Sequence, residues 1–349
     1  MNNSTISLRH DEDISIPVPY TFKALSTVAI SVVALSSILG NTLVITTFVK
    51  TEKLRTSTNY YITSMAVSDL LWVATNWPIY LISRLTVFGK TALPDVACKL
   101  GNFLTFVSLT VSVECLVLIT VDRFIAIVFP LKVTTISGRI RVALISLAWV
   151  IPMGFLSPFL YFSRTAEGLD EPYLCETDMD SALRAQYILV GFVYDYIAPL
   201  IIIVVLNVCI MKSLRKTNPV IQGNHHITTR RREQNRRLMK ILNFITVLFF
   251  VSWTPYYVFL FVSDFLLEFP ERGLQEMLFV VCQFFLPFVC TAANSVILFT
   301  LSTNYRQALK NCLRYTFGKC FSCLVHKQVE NITNQGDAGL PNGQLETKL

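Results

Sequence analysis

Seven predominantly apolar stretches divide this chain: Ala24–Val49, Tyr60–Ile82, Lys99–Ile127, Val142–Tyr161, Ala185–Met211, Leu238–Leu266 and Leu274–Leu301. Each is about as long as a helix must be to cross a hydrocarbon core roughly 30 Å thick. The runs are long and unbroken, without the short alternating segments of a membrane barrel, so of the two structures that satisfy backbone polar groups in lipid they favour helices. The expected fold is an all-α membrane protein: a seven-transmembrane helix bundle over 24–303 with an N-terminal segment, 1–23, before it. Over 304–324 apolar and basic residues interleave at helical spacing, which predicts a short amphipathic eighth helix on the membrane surface. The last segment, 325–349, is polar and rich in Gly, Asn and Gln and reads as a disordered tail.

Charge orients the bundle. Lys50, Lys53 and Arg55 follow span 1, Lys132, Arg139 and Arg141 lie between spans 3 and 4, and the largest basic cluster (Lys212 to Lys240) joins spans 5 and 6. The opposite loops carry chiefly Lys90, Arg164 and Arg272. The positive-inside bias therefore places the N-terminus outside the cell and the C-terminus in the cytoplasm, with the plasma membrane as the expected location. The net charge of +7 is a topological signal and gives no reason to expect nucleic-acid binding. The first residues carry Asp11, Glu12 and Asp13 in place of a signal peptide's basic-then-apolar order. On the outer side Asn2 and Asn3 each begin a glycosylation sequon, whereas Asn331 begins one on the cytoplasmic side, where it would stay idle.

Cysteines and intramembrane charges supply the candidate chemistry. Cys98 and Cys175 both fall on the outer, oxidising side and are able to pair; two separate free thiols are the alternative. Cys320 and Cys323 sit where a surface helix meets lipid and are placed for acylation, or are plain thiols. Asp69, Glu114 and Asp195 lie in mid-span, and Asp122-Arg123 ends span 3; ionised groups in hydrocarbon are costly and persist mainly where they are used. Cys98 and Arg123 are 25 residues apart, about 37 Å along a straight helix, so one helix carries features at both membrane faces. No nucleophile–base set or metal-ligand spacing suggests an enzyme. The mid-span acids form no continuous polar path of the kind a transporter needs, and no internal repeat is visible.

From span 1 to the helix after span 7 the chain resembles the rhodopsin-like (class A) G-protein-coupled receptors. The resemblance rests on Gly40-Asn41, Ser68-Asp69-Leu70, Asp122-Arg123-Phe124, Trp149, Pro199, Trp253-Thr254-Pro255, Asn294 and Asn304-Tyr305-Arg306, in that order. It implies a receptor that signals to a heterotrimeric G protein and binds arrestin. It further implies that Asp122 restrains Arg123, that Phe249, Trp253, Pro255, Pro199 and Asn294 carry the activation change, and that Asp69, Ser112 and Asn294 form an oxygen-rich pocket for an allosteric sodium ion. Pro255 removes a backbone hydrogen bond from span 6 and predicts a kink there.

Three departures matter. The family's Asn-Pro-x-x-Tyr of span 7 reads Asn294-Ser295-Val296-Ile297-Leu298, and Asn207 stands where a span 5 tyrosine is expected. The span 6 acid with which many relatives clamp the arginine is Asn235, with Glu233 off register, which implies a weak inactive lock.

The ligand class is read from the outer half. Amine receptors carry an Asp where this chain has Thr105, and span 7 contains no lysine for a retinal Schiff base. Acidic residues crowd the outer loops and attract cations. Asp195, one turn before Pro199, and Asp264, at the outer end of span 6, are candidate partners for a basic ligand group, with Thr105 and Trp253 also placed toward the ligand; pairing within the bundle is the alternative for Asp195. Together with Asn76-Trp77-Pro78 these features look most like neuropeptide receptors. The expected ligand is a basic peptide. The alternatives are a receptor for a non-peptide small molecule and an arrestin-coupled decoy with weak G-protein signalling. Thr347-Lys348-Leu349 fits a C-terminus that adds as a strand to a PDZ domain.

Overall fold

A computed structural model describes residues 18–84, 95–129, 137–166, 174–215, 225–266 and 272–314. Seven long helices build the described residues: α1 Tyr20–Lys50, α2 Ser57–Arg84, α3 Asp95–Val128, α4 Gly138–Phe155, α5 Ser181–Arg215, α6 His225–Phe261 with a π-helical turn Val262–Leu266, and α7, which runs Arg272–Phe279, Val280–Phe285 (π-helical) and Leu286–Leu301. A shorter helix, α8 (303–314), follows after one non-helical residue, Ser302, whose hydroxyl accepts the Tyr305 N–H. Strands β1 (Ser163–Ala166) and β2 (Leu174–Thr177) form an antiparallel hairpin in which Thr165 faces Cys175. Cys175 is disulfide-bonded to Cys98 of α3, so the hairpin is tied to one end of the bundle.

The burial pattern is that of a bundle made for lipid. Val28, Val32, Leu35 and Leu39 of α1 and Phe244, Val247, Val251 and Val258 of α6 are exposed at helical spacing. Small and polar side chains such as Ser37, Asn41, Ser68 and Asn294 are buried between helices, as membrane helix contacts favour. Six of the seven long helices are apolar enough to cross a membrane. The exception, α2, is diluted by Thr58, Ser64, Ser68, Asp69 and Asn76, all turned inward. α3 is the central helix, with most of its apolar stretch buried, whereas α4 at the periphery buries little of its own.

Helix ends depart from the apolar runs for identifiable reasons. α1 begins at Tyr20 rather than Ala24, inside the expected N-terminal segment, because the helix starts at once after Pro19, whose carbonyl accepts the Lys23 N–H. α4 starts at Gly138, capped by the Ser137 hydroxyl, and stops at Phe155, short of the expected Tyr161. Pro158 has no N–H to offer the Gly154 carbonyl, which takes the Ser157 N–H instead; a separate helical turn, Phe159–Phe162, follows.

Two prolines also reset the hydrogen-bond ladder. Pro199 cannot donate, and the residue before it, Ala198, bonds back five residues to Val193, making a π-helical turn over Val193–Ile197. Pro287 does the same in α7, where Leu286 bonds to Val281. Such turns concentrate at functional sites, and the one in α5 holds Asp195.

Candidate functional site

At the disulfide-tied end, α3, α4, α5, α6, α7 and β2 enclose a cavity of about 530 Å³, within the usual range for ligand pockets. Its wall is largely aromatic and aliphatic, including Phe106, Leu109, Tyr256, Tyr257, Leu260 and Phe279. Three charged side chains enter it: Arg184, Asp195 and Asp264. Arg184 Nη2 lies 2.8 Å from Asp264 Oδ1, while Asp195 Oδ1 and Asp264 Oδ2 are buried and find no hydrogen-bond partner among the described residues. The π-helical turn directs three consecutive side chains to different neighbours. Tyr194 bonds to Glu114 of α3, Asp195 enters the cavity, and the Tyr196 hydroxyl meets Thr254 of α6 at 2.5 Å.

Aromatic rings lead from this cavity toward the bundle centre. Tyr257 lies 5.3 Å from Tyr256, Tyr256 5.6 Å from Trp253, and Trp253 6.0 Å from Phe249 and 6.2 Å from Trp72. Trp72 packs edge-on to Phe288 at 4.7 Å. One turn from Trp72 along α2 is Asp69, at the heart of a polar cluster. Ser112 donates to Asp69 Oδ1 and the Asn294 amide to Oδ2, both at 3.0 Å, and Ser68 lies 2.8 Å from Ser112. The Asn294 carbonyl oxygen is buried without a partner among the described residues. A carboxylate, hydroxyls and an orphaned amide oxygen are a donor set that fits a small hard cation.

At the opposite end Asp122 is buried at the foot of α3. Its Oδ2 accepts from Arg123 Nη2 at 2.5 Å, from Arg123 Nε at 3.1 Å and from the Thr58 hydroxyl of α2 at 2.8 Å. Arg141 of α4 sits 5.0 Å over the Tyr60 ring. Tyr305 of α8 is buried against Phe299, and burial pushes its phenol above the usual value.

The residues singled out from the sequence thus fall into three groups. Asp195 and Asp264 share the cavity; Asp69, Ser112 and Asn294 share the polar cluster; Asp122 and Arg123 are paired. Thr105 departs from its expected place: it is buried against α2, accepting from the Asn76 amide at 2.9 Å, and is not among the residues lining the cavity. Trp253 also lies outside the lining, packed edge-on against Tyr256, which does line the cavity. Those tyrosines and Arg184 were missed by sequence reasoning; Tyr256 and Tyr257, immediately after Pro255, were the available signal. Asn2, Asn3, Cys320, Cys323 and Thr347–Leu349 lie outside the described residues.

Known proteins resemble this chain over most of its length. The family described as 7 transmembrane receptor (rhodopsin family) matches residues 40–298. A QRFP-like peptide receptor of Branchiostoma floridae is 28% identical over 288 residues, covering 80% of this chain and 74% of its own. Neuropeptide FF receptor 1 of Homo sapiens is 27% identical over 347 residues, covering 91% and 80%. A Gq-coupled rhodopsin of Mizuhopecten yessoensis is 28% identical over 261 residues, covering 71% of this chain but 52% of its own.

Proposed function

The chain belongs to the rhodopsin family of seven-transmembrane receptors, and on that premise we propose that it is a plasma-membrane receptor for a peptide bearing a basic group, relaying binding to a heterotrimeric G protein. The observation that carries this reading is the cavity: aromatic walls enclosing two carboxylates, each with a buried oxygen that lacks a partner among the described residues. Peptide receptors among the relatives support it. Retinal bound as a Schiff base has no support, since no lysine lies between Leu274 and Leu301.

The basic loops put the N-terminus and the cavity outside. A ligand seated there presses on Tyr256 and Tyr257, whose rings pack in series onto Trp253, two residues before Pro255. Its effect on signalling equals its differential affinity for the two positions of α6. The inner end of α6 then swings away and Arg123 leaves Asp122 for the G protein. Asp69, Ser112 and Asn294 would hold a sodium ion that favours the inactive packing; sodium supplies positive charge to a buried carboxylate. If so, Asp69→Ala abolishes the difference in melting temperature of the purified receptor between sodium and choline buffers, and an unchanged difference rules the ion out. Arrestin at the Arg123 end, acyl chains on Cys320 and Cys323, glycans on Asn2 and Asn3, and a PDZ partner at Thr347–Leu349 complete the proposed assembly.

The test is a library of basic, amidated peptides applied to cells expressing the receptor, with cAMP and calcium read together. A response is expected that Arg123→Ala eliminates at equal surface expression. Arrestin recruitment with no G-protein signal from any active peptide would replace this reading with the decoy, which the buried Leu298 in place of a tyrosine favours.

A further inference from the structure

The two carboxylates of the cavity are not equivalent. Asp264 lies at the outer end of α6 and already faces a guanidinium, Arg184, whose side chain is 51% exposed at the rim. Asp195 lies eleven residues further along α5, about 16 Å deeper at 1.5 Å per residue, and none of the ion pairs among the described residues includes it. Phe106, Tyr256 and Tyr257 line the cavity with it; the one cation of the described lining, Arg184, faces Asp264, and the other charged neighbour of Asp195 is a second acid, Glu114 of α3, itself bonded by Tyr194. Over the described lining residues two carboxylates against one guanidinium leave a net charge of −1, and the uncompensated charge is the deep one.

Resting on the basic-peptide reading above, we propose that the cavity takes a ligand with one cation at its leading end, seated on Asp195, and that Arg184 closes Asp264 to a second. The deep position is where a cation gains most. An unpartnered buried carboxylate oxygen costs roughly 1–3 kcal/mol, which an incoming ammonium or guanidinium removes, and a cavity lined by aromatic residues suits the same charge. A second cation at the rim gains less. It must displace Arg184 from a 2.8 Å contact, exchanging one ion pair for another, while Arg184 repels it. Arg184 therefore sets the charge count of the ligand, and its removal should convert a single-cation site into a double one.

Three acetylated hexapeptide amides test this: Gln-Gly-Leu-Gly-Gly-Arg with one cation, Arg-Gly-Leu-Gly-Gly-Arg with two, and Gln-Gly-Leu-Gly-Gly-Gln with none. In the two-arginine peptide five residues of extended chain, at about 3.3 Å each, match the rise of about 16 Å along α5 from Arg184 to Asp195. The readout is the melting temperature of the purified full-length receptor against peptide concentration. In the wild type both arginine peptides stabilise with similar apparent affinity and the neutral one does not. Asp195→Asn, which keeps the shape of the side chain, weakens both about tenfold or more. Arg184→Ala, a change at a half-exposed side chain, makes the two-arginine peptide bind about tenfold tighter than the other. The proposal is overturned if the wild type already prefers two cations by that margin, if Asp195→Asn leaves the arginine-dependent stabilisation intact, or if Arg184→Ala creates no preference. These outcomes spare the basic-peptide reading, since arginine peptides still bind. Stabilisation by no arginine peptide in any variant removes both.

Discussion

Replacing Asp122 by Asn raises ligand-independent signalling about tenfold or more, up to the ceiling set by full ligand stimulation. Asp122 Oδ2 accepts two hydrogen bonds from the Arg123 guanidinium, and both side chains are largely withdrawn from solvent, 17% exposed for Arg123 and 7% for Asp122. Hydrogen bonds to charged groups contribute about 1.5–3 kcal/mol, and a two-state element shifts by the corresponding factor of roughly 10 to 150. The position that the family resemblance aligns with a clamping acid on α6 is Asn235, which carries no charge, so the expected restraint falls on the adjacent pair. Thr58→Ala leaves the ion pair but removes the hydroxyl that fixes the carboxylate from α2, so its expected effect is smaller and in the same direction. Guanine-nucleotide exchange on membranes, normalised to surface receptor, gives the measurement. Asp122→Asn combined with Arg123→Ala should fall to background. Basal exchange in Asp122→Asn equal to wild type would show that the adjacent pair restrains nothing.

The parts of this protein written as local pattern were legible in its sequence. Length and apolarity mark the seven spans, and the spacing of Cys98, Asp122-Arg123, Pro199 and Pro255 places them in one family. Asp195 was legible as a mid-span acid and Asp264 as one near the outer end, but the pairing that makes them inequivalent was not: Arg184 and Asp264 are eighty residues apart, and nothing local pairs them. The π-helical turns were equally hidden. A 3.6-residue reading runs straight through Val193–Ile197, while the proline at 199 forces one bond to skip a residue and thereby decides which side chains of α5 look at α3, the cavity and α6. Thr105 was misplaced for the same reason in reverse. Its position along α3 was right, but the rotation about the axis that turns it to Asn76 depends on packing against α2.

Gly40→Ala should lower the melting temperature of the purified receptor and its surface expression more than any other single-methyl addition to α1. A Cβ at Gly40 would lie 2.0 Å from Ser295 Oγ and 2.8 Å from Ser295 Cβ, so rotating the serine away does not relieve the overlap; α1 or α7 must move. That seam is held by two buried bonds to Thr291, one turn before Ser295: Ser37 donates to its hydroxyl at 3.0 Å and the Asn41 amide to its carbonyl at 3.2 Å. Overpacking costs about 1–3 kcal/mol, and each lost interhelical hydrogen bond adds on the order of 0.6 kcal/mol in membrane bundles. The seam also bears on signalling, because Asn294 of the polar cluster is the residue before Ser295 and follows any shift of α7. The prediction is checked by a graded rescue. Ser295→Ala in the Gly40→Ala background removes the 2.0 Å overlap and leaves the 2.8 Å one, so it restores part of the melting temperature. Ser295→Gly removes both and restores more, less about 1 kcal/mol for a glycine inside a helix. A melting temperature unchanged by Gly40→Ala, or double variants no more stable than the single one, would mean that α1 and α7 do not approach as closely as this contact requires.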